Sequence, residues 1–147
     1  MTVKLSTGFR VGQAITSSMK VLLDGGLVRI YSGTVPETAD AALGGATLLC
    51  EISDGGTGDP LNWEATAPGG VLSKAVSENW TGNNVLGGTP TFFRYVKVAD
   101  TGDASTTAVR IQGTAGALGS DMYISTLPLV LAAPQSFSLF QLAIPEQ

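Results

Sequence analysis

Ala108-Val109-Arg110-Ile111-Gln112 alternates apolar with polar side chains, and that alternation decides the class of fold. Successive side chains of a strand point to opposite faces. The stretch therefore predicts a half-buried strand over Thr107 to Gly113, with Val109 and Ile111 inward and Arg110 and Gln112 facing out. Just upstream, Asp100-Thr101-Gly102-Asp103 reads as a hairpin turn whose glycine supplies a positive φ. Thr91 to Ala99, on the far side of that turn, is then the antiparallel partner strand.

The same period of two begins at Leu27-Val28-Arg29-Ile30-Tyr31, where Val28 and Ile30 share one face and Leu27, Arg29 and Tyr31 the other. Both faces have something to bury. Thr47 to Ser53, Leu61 to Thr66, Val71 to Ser77, Met122 to Ser125 and Gln135 to Ile144 complete the strand candidates, with Leu129 to Ala132 as an optional addition. Nineteen glycines and seven prolines punctuate these runs, the signature of an all-β sandwich or barrel. No internal repeat and no linker-length Gly-rich tract divides the chain, so a single domain over residues 1–147 is expected. The expected architecture over residues 27–147 is an antiparallel β-sandwich of jelly-roll-like form.

Residues 1–26 follow another rule. Leu5, Phe9, Gly12, Ile15, Met19 and Leu22 recur at steps of three and four, with Ser6 to cap the start of a helix and Asp24-Gly25-Gly26 to end it. Gly8, Gly12 and Thr16-Ser17-Ser18 are poor helix formers in an interior. A short N-terminal helix and an extended arm crossing onto a neighbouring subunit both fit this segment.

Composition narrows the function. The chain has no histidine, which removes the usual general base, the commonest metal ligand and any Ser-His-Asp or Cys-His nucleophile; no enzyme activity is expected. Eight Lys and Arg against twelve Asp and Glu give a net charge of −4, the wrong sign for neutralising phosphates, so nucleic acid is not an expected partner. Charged residues are only 14%, where about 25% is usual, so much of the surface needs a cover. A spanning helix takes about 20 apolar residues, and Leu127 to Pro134 falls far short, so no membrane is expected and protein neighbours are. MTVKLSTGFRVGQ lacks the apolar core and cleavage site of a secretory signal, which points to folding in a cytoplasm.

Candidate chemical motifs fare poorly. Glu51, Asp54 and Asp59 flank a glycine-rich loop but miss the spacing of an EF-hand, and read as solvated turn residues. Gly55-Gly56-Thr57-Gly58 lacks the lysine of a phosphate-binding loop. No carboxylate pair stands out as a glycosidase acid and base. Asn79-Trp80-Thr81 matches a glycosylation acceptor, which matters only after secretion. Cys50, in the apolar run Thr47 to Ile52, reads as a small buried hydrophobe. No metal and no cofactor is expected. Phe92, Phe93 and Tyr95 share one strand and read as core, while Trp63 and Trp80 divide between core edge and contact surface.

Leu27 to Leu49 reads LVRIYSGTVPETADAALGGATLL, and here the chain resembles a group of small tailed-bacteriophage virion proteins. In that group an IYSG, a P-x-TAD-A and a G-x-LL follow one another between the first two strands, and an FR strand comes later, here Phe93-Arg94. The resemblance covers roughly a sixth of the chain in its specific part. It implies a capsid decoration, or cement, protein of β-sandwich fold, made in the host cytoplasm and placed on the capsid surface of the virion. Its partners would be the major capsid protein and neighbouring copies of itself, as dimer or trimer. A tail or fibre component that binds host-surface glycans is the alternative. Three regions are the expected contacts: the N-terminal segment with Leu5 and Phe9; the Gly33 to Gly45 loop with Val35, Pro36 and Leu43; and the Glu78 to Pro90 loop with Trp80 and Leu86. Trp63 joins them as an aromatic anchor.

Overall fold

The computed structural model describes residues 3–144. Strand β1 is Lys4–Leu5, followed by helices α1 (Thr7–Ile15) and α2 (Met19–Leu23). The remaining strands are β2 (Gly26–Ser32), β3 (Thr47–Asp54), β4 (Val71–Ser73), β5 (Trp80–Asn83), β6 (Phe92–Lys97), β7 (Arg110–Gly116), β8 (Met122–Tyr123), β9 (Pro134–Ser136) and β10 (Gln141–Ala143). The main sheet has the order β1-β7-β6-β2-β3-β5-β9, and its neighbours pair antiparallel; β8 joins β7 in parallel. The strands β10 and β4 form a second, two-stranded sheet. The architecture is thus all-β, antiparallel and sandwich-like behind a short N-terminal helix. Its sheets have eight strands and two.

The N-terminal segment is helical, in two pieces. Ser6 caps α1 with its hydroxyl on the Phe9 N–H, and Ser18 caps α2 in the same way on Val21. The Thr16-Ser17-Ser18 run that disfavours a continuous helix is where the two separate. Gly8 and Gly12 sit inside α1 because the backbone needs room. A Cβ at Gly8 would lie 2.3 Å from the Thr107 carbonyl oxygen, and one at Gly12 2.7 Å from Leu22 Cδ2.

Alternation sorts the main sheet into two faces. Val28 and Ile30 of β2, Cys50 and Ile52 of β3, Phe93 and Tyr95 of β6 and Ile111 of β7 join Phe9, Leu23, Trp63, Leu72 and Trp80 in one buried cluster. Its centre is aromatic. The Trp63 and Trp80 rings meet edge to face at 5.2 Å, and Phe140 lies 5.7 Å and 5.6 Å from them. Polar tips are satisfied within it: Trp63 Nε1 donates to Tyr95 Oη at 3.0 Å, and Tyr95 Oη donates to the Leu23 carbonyl at 2.7 Å. Gly26 leaves the space that the Tyr95 ring fills, since a Cβ there would be 2.3 Å from it.

Several boundaries differ from the sequence reading. Leu61 to Thr66 forms only isolated bridges at Leu61 and Trp63, and Leu129 only a bridge to Gly88. Gln135 to Ile144 is two short strands in different sheets, not one. The expected loop Glu78 to Pro90 contains β5, an interior strand between β3 and β9. Glycine concealed it: Gly82 belongs in that strand because a Cβ would sit 2.0 Å from the Glu51 carbonyl oxygen.

Candidate functional site

The second face of the main sheet carries a layer of arginines. Register places Glu51, Arg29, Arg94, Gln112 and Lys4 in one row across β3, β2, β6, β7 and β1. Arg110 stands beside that row on β7. Arg94, Arg110 and Gln112 are buried, so the outward, solvated position expected for Arg110 and Gln112 is corrected. The reason is a lid. The connection between β2 and β3 and the one between β6 and β7 fold over this face.

The lid is held by its own carbonyl groups. Gln112 Nε2 donates to the Pro36 carbonyl at 2.7 Å, Lys4 Nζ to Glu37, Arg94 Nη2 to Ala41 at 2.8 Å and to Thr38 at 3.3 Å, and Arg110 Nη1 to Ala39 at 3.3 Å. Asp40 reaches the other way: one carboxylate oxygen accepts from the Thr7 N–H at 2.8 Å and the other from the Thr7 hydroxyl at 2.6 Å. These bonds, the hydroxyl first, hold the Asp40 pKa below the usual carboxylate value. The TAD run of the sequence, Thr38-Ala39-Asp40, is therefore a pinned segment whose Ala39 side chain is buried.

Charge in the layer is largely paired. Arg110 clasps Asp100 with Nε to Oδ2 at 2.6 Å and Nη2 to Oδ1 at 3.0 Å, and Arg29 Nε reaches Glu51 Oε2 at 2.8 Å. Among the described residues Arg94 has no carboxylate in contact. Its Nε donates to Gln112 Oε1 at 2.8 Å, while Nη1 is buried without a hydrogen-bond partner among the described residues. Burial, and after it the nearby Arg110, lowers the Arg94 pKa.

The expected contact residues separate. Phe9, Trp63 and Trp80 are 0%, 2% and 0% exposed and belong to the core, which corrects their placement at a contact surface. Packing α1 against β7 over Phe9 and setting both indoles edge to face at the cluster centre leave none of the three for a partner. Pro36 is buried on the inner side of the lid it belongs to, and Leu43 is half-buried over Gly102. Leu5, Val35 and Leu86 are exposed. Sequence reasoning missed Val85, Val130 and Leu131, also exposed, which two loops bring alongside Leu86. Asn84 ties those loops together: its N–H donates to the Ala133 carbonyl at 2.9 Å and its Nδ2 to the Val130 carbonyl at 2.8 Å. No periodicity signals this patch, because both halves are irregular and distant in the chain.

Cys50 is buried in the core, which pushes its thiol pKa up to about 11, far from a reactive thiolate. Among the described residues no group of three or more His, Cys, Asp and Glu side chains is placed to hold a metal ion. Among them, too, no helix is long and apolar enough to cross a membrane.

Fold and site define a class: an antiparallel all-β protein whose main sheet buries an aromatic cluster on one face and a pinned arginine layer on the other. No protein-family model, curated protein or solved structure matches the chain.

Proposed function

We propose that the chain is a structural protein of a tailed-bacteriophage virion, a cement protein rather than an enzyme. In this reading it sits on the outside of the head, bridges seams between major capsid protein subunits and stabilises the shell. The observation that carries the reading is the apolar patch of Val85, Leu86, Val130 and Leu131, on a chain with only 14% charged residues. Contiguous exposed apolar side chains mark surfaces that meet other proteins. The phage-like stretch Leu27 to Leu49 supports the same reading. Physically, each copy adds contact area that must be broken before the shell opens. Burial contributes about 25 cal/mol per Å², less the costs of association, and the shell repeats the gain at every equivalent site.

The alternative, a tail or fibre component that stacks host glycans on Trp63 or Trp80, lacks its platform, since both rings are buried. Purified particles test the proposal. Gel densitometry should give copy numbers comparable to the major capsid protein, and particles lacking the protein should rupture at lower temperature or milder osmotic shock. Leu86→Asp together with Leu131→Asp should empty the particles of the protein while leaving its own melting temperature within a few degrees. A few copies per particle, or a protein that never co-sediments with virions, overturns the reading.

A further inference from the structure

The two sheets do not close on each other at β1 and β10. Ser6 N–H donates to the Arg110 carbonyl at 3.0 Å, and the register of Lys4 on Gln112 turns the main-chain groups of Lys4 toward β7 as well. By antiparallel alternation Leu5, between them, turns its N–H and C=O out of the sheet edge, where they meet no partner among the described residues. The second sheet repeats this geometry. Lys74 N–H donates to the Phe140 carbonyl at 2.9 Å and Ile144 N–H to the Gly70 carbonyl at 3.0 Å, which turns Gln141 and Ala143 away from β4. Leu5, Gln141 and Ala143 line one cavity of about 330 Å³, walled further by Phe9 and Ile111. A second cavity of about 300 Å³ continues it past Val3, Met122 and Phe137.

We propose that this seam is a β-augmentation site for an extended segment of a partner polypeptide that carries a carboxylate between alternating apolar side chains. Unpaired main-chain groups on both walls select an extended backbone. The apolar cavities select the side chains that point inward. Charge selects the residue between them. On the face whose cross-strand row ends at Lys4, the cations Arg29, Arg94, Arg110 and Lys4 stand against the carboxylates of Glu51, Asp100 and Asp40, and Lys4, at the open edge, forms no ion pair among the described residues. A strand added beyond β1 places its next residue beside Lys4 in that row, and opposite charges across a strand pair attract. This inference stands on the seam alone and does not require the virion reading.

The probe is an eight-residue peptide alternating valine with threonine, with one central threonine replaced by glutamate, and a second peptide with lysine at that place. Binding to the full chain is followed by fluorescence anisotropy, and the site by amide hydrogen exchange. The glutamate peptide should bind and slow exchange at Leu5, Gln141 and Ala143, and the lysine peptide should bind about tenfold more weakly. Lys4→Glu, which also gives up the exposed bond to the Glu37 carbonyl, should reverse that preference, with a melting temperature lowered by no more than a few degrees. An unchanged preference in Lys4→Glu overturns the proposal, as does the absence of protection at those three amides with millimolar peptide. Protection of the same amides without peptide, with dimers in sedimentation, makes a second copy the occupant and also overturns it.

Discussion

Asp100 and Arg110 have side chains 4% and 2% exposed, and each carboxylate oxygen accepts from a guanidinium nitrogen. Arg110 Nη2 also donates to the Asp103 carbonyl at 2.7 Å, so the pair is desolvated yet well satisfied. Breaking such a pair leaves a charge stranded, at a cost of about 3–5 kcal/mol. Arg29–Glu51, with side chains 17% and 33% exposed, keeps access to water, and exposed pairs contribute about 1 kcal/mol or less. Asp100→Ala should therefore destabilise the protein by about 3 kcal/mol or more in urea denaturation, and Glu51→Gln by less than about 1 kcal/mol. Equal losses would mean that the lid does not exclude water from Arg110. The sequence displays Arg110 as an outward residue, and nothing local contradicts that. Its burial depends on chain ten residues away at Asp100 and some seventy away at Ala39.

At the scale of elements, α1 is anchored by one hydroxyl. Ser6 Oγ accepts from the Phe9 N–H at 3.1 Å and the Arg110 N–H at 2.9 Å, and donates to the Ala108 carbonyl at 2.7 Å. It caps the helix and completes the edge of the sheet at once. Ser6→Ala strands two buried N–H groups and should cost about 2–3 kcal/mol, more than the roughly 1 kcal/mol of an ordinary cap. Exchange at the Phe9 and Arg110 amides should quicken together; if only Phe9 responds, the hydroxyl serves the helix alone. The capping serine was legible in the sequence; the Thr16-Ser17-Ser18 run was legible only as an argument against a helix, and the structure makes it the gap between two. The sheet contact was not legible, because it joins residues a hundred positions apart. β5 was illegible for a related reason: Gly82 lowers strand propensity locally, and only the Glu51 backbone packed against it shows why a side chain is excluded.

At the scale of the molecule, three buried acids shape the response to alkali. Burial raises the pKa of Cys50 from its ordinary 9.0 to about 11, and it raises those of Tyr31 and Tyr95 above 10.0. Each group stays protonated in the fold at a pH where the unfolded chain releases its proton. Stability from these groups is complete below the unfolded values and is lost as pH rises through them, at about 1.4 kcal/mol per pH unit for each. Lys97 and Arg94, whose pKa values burial lowers, work in the opposite direction. The unfolding free energy should thus begin to fall near pH 9, and Cys50→Ala should move that onset toward pH 10. A flat profile to pH 11 would place these side chains in contact with water.

The sequence by itself determined the class of fold, the antiparallel pairing of the strands on either side of Asp100 to Asp103 and the absence of histidine chemistry, because these follow from local period, glycine and composition; that the N-terminal segment is helical, and that the Asp100 to Asp103 connection is a long one folded over the sheet, it left open. Tertiary structure decided which surfaces remain. Trp63 and Trp80 went to the core and Val85, Leu86, Val130 and Leu131 to the outside, where the sequence leaves the indoles divided between core edge and contact surface. Alternation divides a strand into two faces but carries no information about what lies over the second face. That cover comes from loops far away in the chain, and its bonds to main-chain carbonyls are the same for almost any side chains those loops carry.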